Sequence, residues 1–290
     1  MKLATASAQG RTFPIVVVGD AFVDIGKHLA GAPDTLIGII RDWDNLAAAL
    51  KALEGKTPDG RLSAVTLEAP IQRPGKIFAI GLNYADHCEE ANTPLPEKQV
   101  WFTKAASAVN PPYAPLELPA VSEALDYEAE LVAVVGRTCR NVPTDRFREV
   151  VFGYCVGNDV SIRDWQMATP QWSLGKSFDR SAPIGPWITT ADSVDPHNLA
   201  IRSFVNGELR QNSNTRHLVF KLGEMIAHLS QAMTLEPGDL IFTGTPGGVG
   251  VVWQGKPHFL KPGDRSRIDI EELGVIEGVV EQGSAKTVIA

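Results

Sequence analysis

From about residue 75 onward the chain is written mostly as short apolar runs of strand length, separated by Gly and Pro. That pattern predicts a closed or rolled β-architecture rather than alternating βαβ units. Asn206-Gly207, set between residues 201–205 (Ile-Arg-Ser-Phe-Val) and 208–210 (Glu-Leu-Arg), is a strong hairpin signal. One helix interrupts the strands: Leu218, Leu222, Met225, Ile226, Leu229 and Met233 recur at helical spacing, and Glu236-Pro237-Gly238 ends it. Before Pro70 the pattern differs, with a strand predicted over 13–18 and a short helix over 45–53 closed by Gly55. The reading is an α+β chain, mainly β. Residues 1–70 form a small N-terminal α+β segment without a chemical motif, and residues 71–290 form the larger domain.

Two carboxylates break the apolar pattern. Asp126-Tyr127-Glu128-Ala129-Glu130 runs directly into Leu131-Val132-Ala133-Val134-Val135. In a strand, residues i and i+2 share a face, so Glu128 and Glu130 stand side by side in line with Val132 and Val134. Like charges there repel, and a cation must offset them where no Lys or Arg is supplied locally. The apolar run 152–158 ends in Asp159, a third carboxylate. Three carboxylates from two strands fill about half an octahedral shell, which suits Mg²⁺ or Mn²⁺ with positions left for water or substrate oxygens. The alternative is a solvated strand edge that carries charge against aggregation.

Global properties narrow the class. With 290 residues, 44% of them hydrophobic, the chain can bury a large core. A net charge of −7 argues against nucleic acid or an anionic membrane as partner. Three cysteines, Cys88, Cys139 and Cys155, form no CxxC and fit a reducing cytosol, so a cytoplasmic location is expected. No signal peptide or membrane-spanning helix is legible in the sequence.

Three more constellations carry chemistry. In Asn83-Tyr84-Ala85-Asp86-His87-Cys88-Glu89-Glu90, His87 and Glu90 are neighbours on a helical turn, where a carboxylate fixes the imidazole tautomer and supports its protonated form. The polar, Pro-rich 91–98 that follows looks like a lid. Incidental charge proximity on a surface helix is the alternative. Lys176 lies among small and apolar residues in Leu174-Gly175-Lys176-Ser177-Phe178, a setting for an ammonium that stabilises a developing oxyanion, or for a solvated loop lysine. Thr243-Gly244-Thr245-Pro246-Gly247-Gly248-Val249-Gly250 offers backbone N–H groups and the Thr245 hydroxyl to a substrate carboxylate, or is a plain Gly-rich turn.

Taken together, residues 81–87, 126–131, 157–164 with Gln166, 175–179 and 244–246 resemble the fumarylacetoacetate hydrolase superfamily, over about residues 76 to 279. Ile162 departs from the small residue usual at its position. The resemblance implies a mixed β-sandwich roll catalytic domain, a homodimer, and a Mg²⁺ or Mn²⁺ site on Glu128, Glu130 and Asp159. It places His87 and Glu90 on a mobile lid that activates water and Lys176 beside the metal. Arg163, Gln166 and Thr245 line the substrate cavity, although Arg163 can equally pair with Asp164 or Asp159. The implied reaction is C–C cleavage of a 2-oxo acid: hydrolysis of a 2,4-dioxo acid (an acylpyruvate) through a pyruvate-type enolate. The alternatives are lyase action on the same enolate (oxaloacetate decarboxylase or hydroxy-oxo-acid aldolase), keto-enol or 2-hydroxymuconate-type isomerisation, and a non-catalytic binding protein. The same residues serve all the enzymatic reactions, so fold resemblance does not choose among them.

Overall fold

A computed structural model describes residues 1–289. Its centre is a mixed sheet whose path runs Gly60–Arg61, Ala21–Asp24, Arg11–Val18, Lys2–Ala8, Ala182–Thr190, Val151–Asn158, Ala129–Val135, Leu240–Phe242, Ile77–Gly81 and Val100–Lys104. A second sheet, Glu208–Asn214, Ala200–Val205, Arg265–Ile270, Gly274–Gln282 and Leu116–Leu118, packs on one face of the first. The mainly β, mixed-sheet expectation holds. The N-terminal strands join the central sheet, Lys2 and Leu3 pairing with Thr189 and Ile188.

The Ala129–Val135 strand is buried on both faces and separates two cores. Leu131, Ala133 and Val135 point into one, beneath the second sheet and the helix Leu222–Ala232. Val132 and Val134 point into the other, covered by the helices Leu36–Arg41 and Trp43–Leu53. This alternation sends Glu128 and Glu130, in phase with Val132 and Val134, to one side at the strand's end. Antiparallel pairing sets Ala129 opposite Asn158 and Glu130 opposite Gly157. Asp159, one residue beyond, donates its backbone N–H to Glu128 O at 3.0 Å, so the third carboxylate arrives at the same end.

The hairpin forms at Asn206-Gly207, both residues with positive φ. The predicted 218–233 helix starts later, at Leu222, because Glu224 caps the Lys221 N–H and Leu218 is taken by a β-bridge to Tyr84. Among the described residues no helix is long and apolar enough to cross a membrane.

Candidate metal centre

Glu128, Glu130 and Asp159 each offer a carboxylate oxygen within 4.8 Å of the others. All three are buried, Glu130 to 1% exposure, which removes the solvated-edge reading. They do not share counter-charges equally. Lys176 Nζ donates to Glu128 Oε2 and Asp159 Oδ2, both at 2.7 Å, and Arg163 lies 2.8 Å from Glu128 Oε1. Burial pushes the Glu128 carboxyl up, but Lys176 and then Arg163 outweigh it and hold the group below its ordinary value. Local cations therefore do offset Glu128.

Glu130 differs. Its Oε2 accepts the Gly244 N–H at 2.7 Å, and no Lys or Arg pairs with it among the described residues. Burial, then Asp159 and Glu128, push its carboxyl well above the ordinary range. A buried carboxylate with one neutral donor is poorly compensated, and a divalent cation held by the three carboxylates corrects that.

The elements that deliver the cations explain their precision. Gly175 abuts the Arg163–Met167 helix so closely that a Cβ would sit 2.2 Å from Gln166 N. That contact fixes Lys176 relative to Arg163 and Gln166. Arg163 pairs with Asp126 at 2.7 Å, not with Asp164 or Asp159, and donates from Nη1 to Gln166 Oε1 at 2.9 Å. Lys104, at the end of the Val100–Lys104 strand, is fully buried at its side chain and donates to Asp159 Oδ1 at 2.6 Å and Val160 O at 3.2 Å. Burial pulls its ammonium below the ordinary value, with Asp159 opposing. Sequence reasoning missed Lys104, although the cue used for Lys176, an ammonium among small and apolar residues, recurs in Lys104-Ala105-Ala106.

In formal charge, Asp126, Glu128, Glu130 and Asp159 face Lys104, Lys176 and Arg163, one negative charge in excess. A divalent cation would turn this into one positive charge, the complement of a monoanionic substrate group.

The Gly-rich loop holds the protein's own carboxylates. Gly244 N–H serves Glu130, Gly248 N–H serves Glu90, and Gly250 and Val251 N–H serve Asp126, at 2.7 to 3.0 Å. The Thr245 hydroxyl donates to Ala129 O and accepts from Gln211 Nε2. The N–H groups of Gly244, Gly248, Gly250 and Val251 are engaged, so the loop braces the site's own carboxylates. Gly248, at φ +101° with its ideal Cβ position 2.0 Å from Arg210 O, has room for no other residue.

His87 and Glu90 lie on the Ala85–Glu90 helix. His87 Nδ1 is 4.0 Å from Glu90 Oε2 and is buried without a hydrogen-bond partner. Burial pulls its imidazole below the usual value, with Glu128, Arg163 and Lys176 close enough to act on it. Glu90 is braced by Gly248, not by His87. Cys88, between them, has its thiol pushed up by burial and is no activated nucleophile. Asn83 escaped notice as an organiser: fully buried, it bonds Phe220 N and O and Thr243 O, fixing the chain that enters this helix.

The family profile described as "Fumarylacetoacetate (FAA) hydrolase C-terminal" matches residues 76–281. Two proteins named as mitochondrial oxaloacetate tautomerases, FAHD2B of Bos taurus and FAHD2A of Homo sapiens, are 45% and 47% identical over 262 residues, 89% of this chain and 83% of each relative. The structure of maleylpyruvate hydrolase from Sphingobium sp. SYK-6, in complex with manganese(II) ion and pyruvate, superposes with a TM-score of 0.83 at 38% identity, covering 98% of this chain and 100% of that one. The cytoplasmic location expected from the cysteines is corrected by these relatives, whose names place them in mitochondria. Free thiols report reducing surroundings and do not distinguish compartments that share them.

Proposed function

The chain belongs to the fumarylacetoacetate hydrolase family, and on that premise we propose that it is a Mg²⁺- or Mn²⁺-dependent enzyme that hydrolyses the C3–C4 bond of a 2,4-dioxo acid. The observation that carries this reading is Glu130, a buried carboxylate completing a three-carboxylate cluster without a cationic partner of its own. A cation held by Glu128, Glu130 and Asp159 supplies Lewis-acid polarisation of a 2-oxo acid.

The chain's own residues do the rest. His87, with Nδ1 buried and turned toward Glu90, accepts a proton from water at its other ring nitrogen, Nε2, and the imidazolium so formed faces Glu90. The hydroxide attacks C4, the C3–C4 bond breaks with its electrons passing to C3 and the 2-oxo oxygen, and C3 then takes the proton held on the imidazolium to give pyruvate and the product acid. Lys176 lends its ammonium to that developing negative charge from within the carboxylate cluster. Gln166, its Oε1 occupied by Arg163, keeps its amide N–H groups for substrate oxygens, while Arg163 holds Glu128 in place. Thr245 keeps the strand end and the Gly-rich loop together. The working unit we propose is a homodimer, in keeping with the many short strands and their open edges.

A second reading, keto-enol tautomerisation of oxaloacetate, is favoured by the 45–47% identity to proteins named for that activity, against 38% to the hydrolase. It uses the same enolate, with His87 moving a proton at C3 instead of activating water. A panel of acylpyruvates, maleylpyruvate and oxaloacetate, assayed with Mg²⁺ or Mn²⁺ and again in EDTA, separates the two. Product acid plus pyruvate marks the hydrolase, and loss of the enol absorbance of oxaloacetate without carbon loss marks the tautomerase. Turnover undiminished in EDTA excludes both.

A further inference from the structure

Outside the carboxylate cluster, Asp86, Ser213 and His217 form a second group of chemistry-bearing side chains. Ser213 Oγ donates to Asp86 Oδ2 at 2.5 Å and lies 3.1 Å from His217 Nδ1. His217 Nδ1 is 4.0 Å from Asp86 Oδ2. This is not a nucleophilic triad: the carboxylate takes the serine proton itself instead of orienting the imidazole from its far nitrogen. Its meaning comes from where the three residues sit. Asp86 is in the first turn of the Ala85–Glu90 helix, and its Oδ1 accepts the His87 N–H at 2.8 Å. Ser213 and His217 belong to the body of the protein. Ser213 is on the Glu208–Asn214 strand, two residues from Gln211 and so on the same face. Gln211 bonds Ala129 N, Thr245 Oγ1 and Pro246 O, at 2.8 to 3.0 Å. One strand face therefore grips the metal-side strand and Gly-rich loop through Gln211 and the His87 helix through Ser213.

We infer that Ser213, supported by His217, is a positioning residue that latches the His87–Glu90 helix over the carboxylate cluster through Asp86. The helix needs such a latch. It is only six residues long, too short to hold its shape alone. It is entered through Leu82 in the left-handed region, at φ 55°, a conformation a leucine rarely adopts. Among the described residues His87 Nδ1 has no hydrogen-bond partner that would set its position. Other ties are Asn83 and the Tyr84–Leu218 bridge behind the helix and Glu90 to Gly248 at its far end. Ser213 supplies the one at its first turn.

The inference rests on the reading of His87 as the proton-moving group, and its test keeps the two apart. Hydrogen exchange of the full-length protein is followed by mass spectrometry over residues 85–92 in wild type, Ser213→Ala, Ser213→Thr and His217→Ala, beside kcat, KM and Mn²⁺ affinity. A hydrogen bond to a charged group, discounted here for partial exposure, corresponds to about a three- to tenfold shift in a closing equilibrium. Ser213→Ala is expected to speed exchange in this segment by about that factor and to lower kcat/KM alike, with Mn²⁺ affinity unchanged and Ser213→Thr restoring both. His217→Ala has a smaller effect in the same direction. Unchanged exchange in Ser213→Ala overturns the latch, as does faster exchange with undiminished kcat/KM. If His87→Gln retains activity, the proton role of His87 fails, while the exchange result still decides the latch.

Discussion

Replacing Glu130 by Gln should make the protein more stable and inert at once. Gln keeps the shape of Glu, and its Oε1 can still accept the Gly244 N–H, but the buried charge with no cationic partner is gone. An ion held away from water costs several kcal/mol in effective terms, and one backbone donor recovers part of it. A gain of about 1–3 kcal/mol in the presence of EDTA is the expectation. Unfolding entropy near 2.1 cal/mol/K per residue over 290 residues amounts to about 0.6 kcal/mol/K, so each kcal/mol moves Tm by roughly 1.6 °C. The variant should melt about 2–5 °C above wild type. Because burial, then Asp159 and Glu128, raise the Glu130 carboxyl, wild type loses stability as pH rises through that raised value, and the advantage of Gln grows in the same direction. Mn²⁺ at about 100 times its Kd adds about 2.7 kcal/mol, or roughly 4 °C, to wild type by mass action. It should add nothing to the variant. Scanning calorimetry in EDTA and in Mn²⁺ reads both numbers. A variant less stable than wild type in EDTA, or one shifted by Mn²⁺ as far as wild type, would refute the assignment of Glu130 as an uncompensated metal ligand.

Gly175→Ala places a Cβ 2.2 Å from Gln166 N, backbone that cannot yield cheaply, so we expect a loss of about 1–3 kcal/mol and displacement of Lys176; activity within twofold of wild type would show that Lys176 is not held by this contact. Asn83→Ala strips partners from Phe220 N and O and Thr243 O, and should lower stability by about 2–4 kcal/mol in urea titration. Burial holds the His87 imidazole below 6.5, so the neutral base persists as pH falls to that value and hydrolysis declines only below it. His87→Gln should lose about 10²–10⁴ in rate together with that acid limb, and an acid limb surviving in the variant would assign it to another group.

What the sequence disclosed, it disclosed through local periodicity. Glu128 and Glu130 stand out because a period of two puts both on a face that Val132 and Val134 mark as buried, and Asn206-Gly207 announces its turn unaided. The Leu222–Ala232 helix was legible in its middle and not at its start, because Leu218 follows helical spacing yet is claimed by Tyr84 across the fold. The same limit hid the partners. Lys104 meets Asp159 across 55 residues and Asp126 meets Arg163 across 37. Nothing in either local pattern names the other. The Gly-rich loop was legible only in part for a related reason: its composition advertises N–H donors, and only the assembled fold shows Glu130, Glu90 and Asp126 taking those of Gly244, Gly248, Gly250 and Val251.

The pairing of Lys2 and Leu3 with Thr189 and Ile188 bears on how such proteins can be recombined. The family profile starts at residue 76, which invites a chimera joined there, one relative's N-terminal segment on another's catalytic domain. The seam of that exchange would not be the covalent junction. It would be the flank of the Ala182–Thr190 strand, where Ile184 and Ile188 are fully buried and the donor's first strand must arrive in register. A chain cut to the profile's span would leave that flank open to any strand it meets, including another copy of itself. Shuffled variants should therefore sort by whether residues 1–8 and 182–190 come from the same parent, more sharply than by where the join is made.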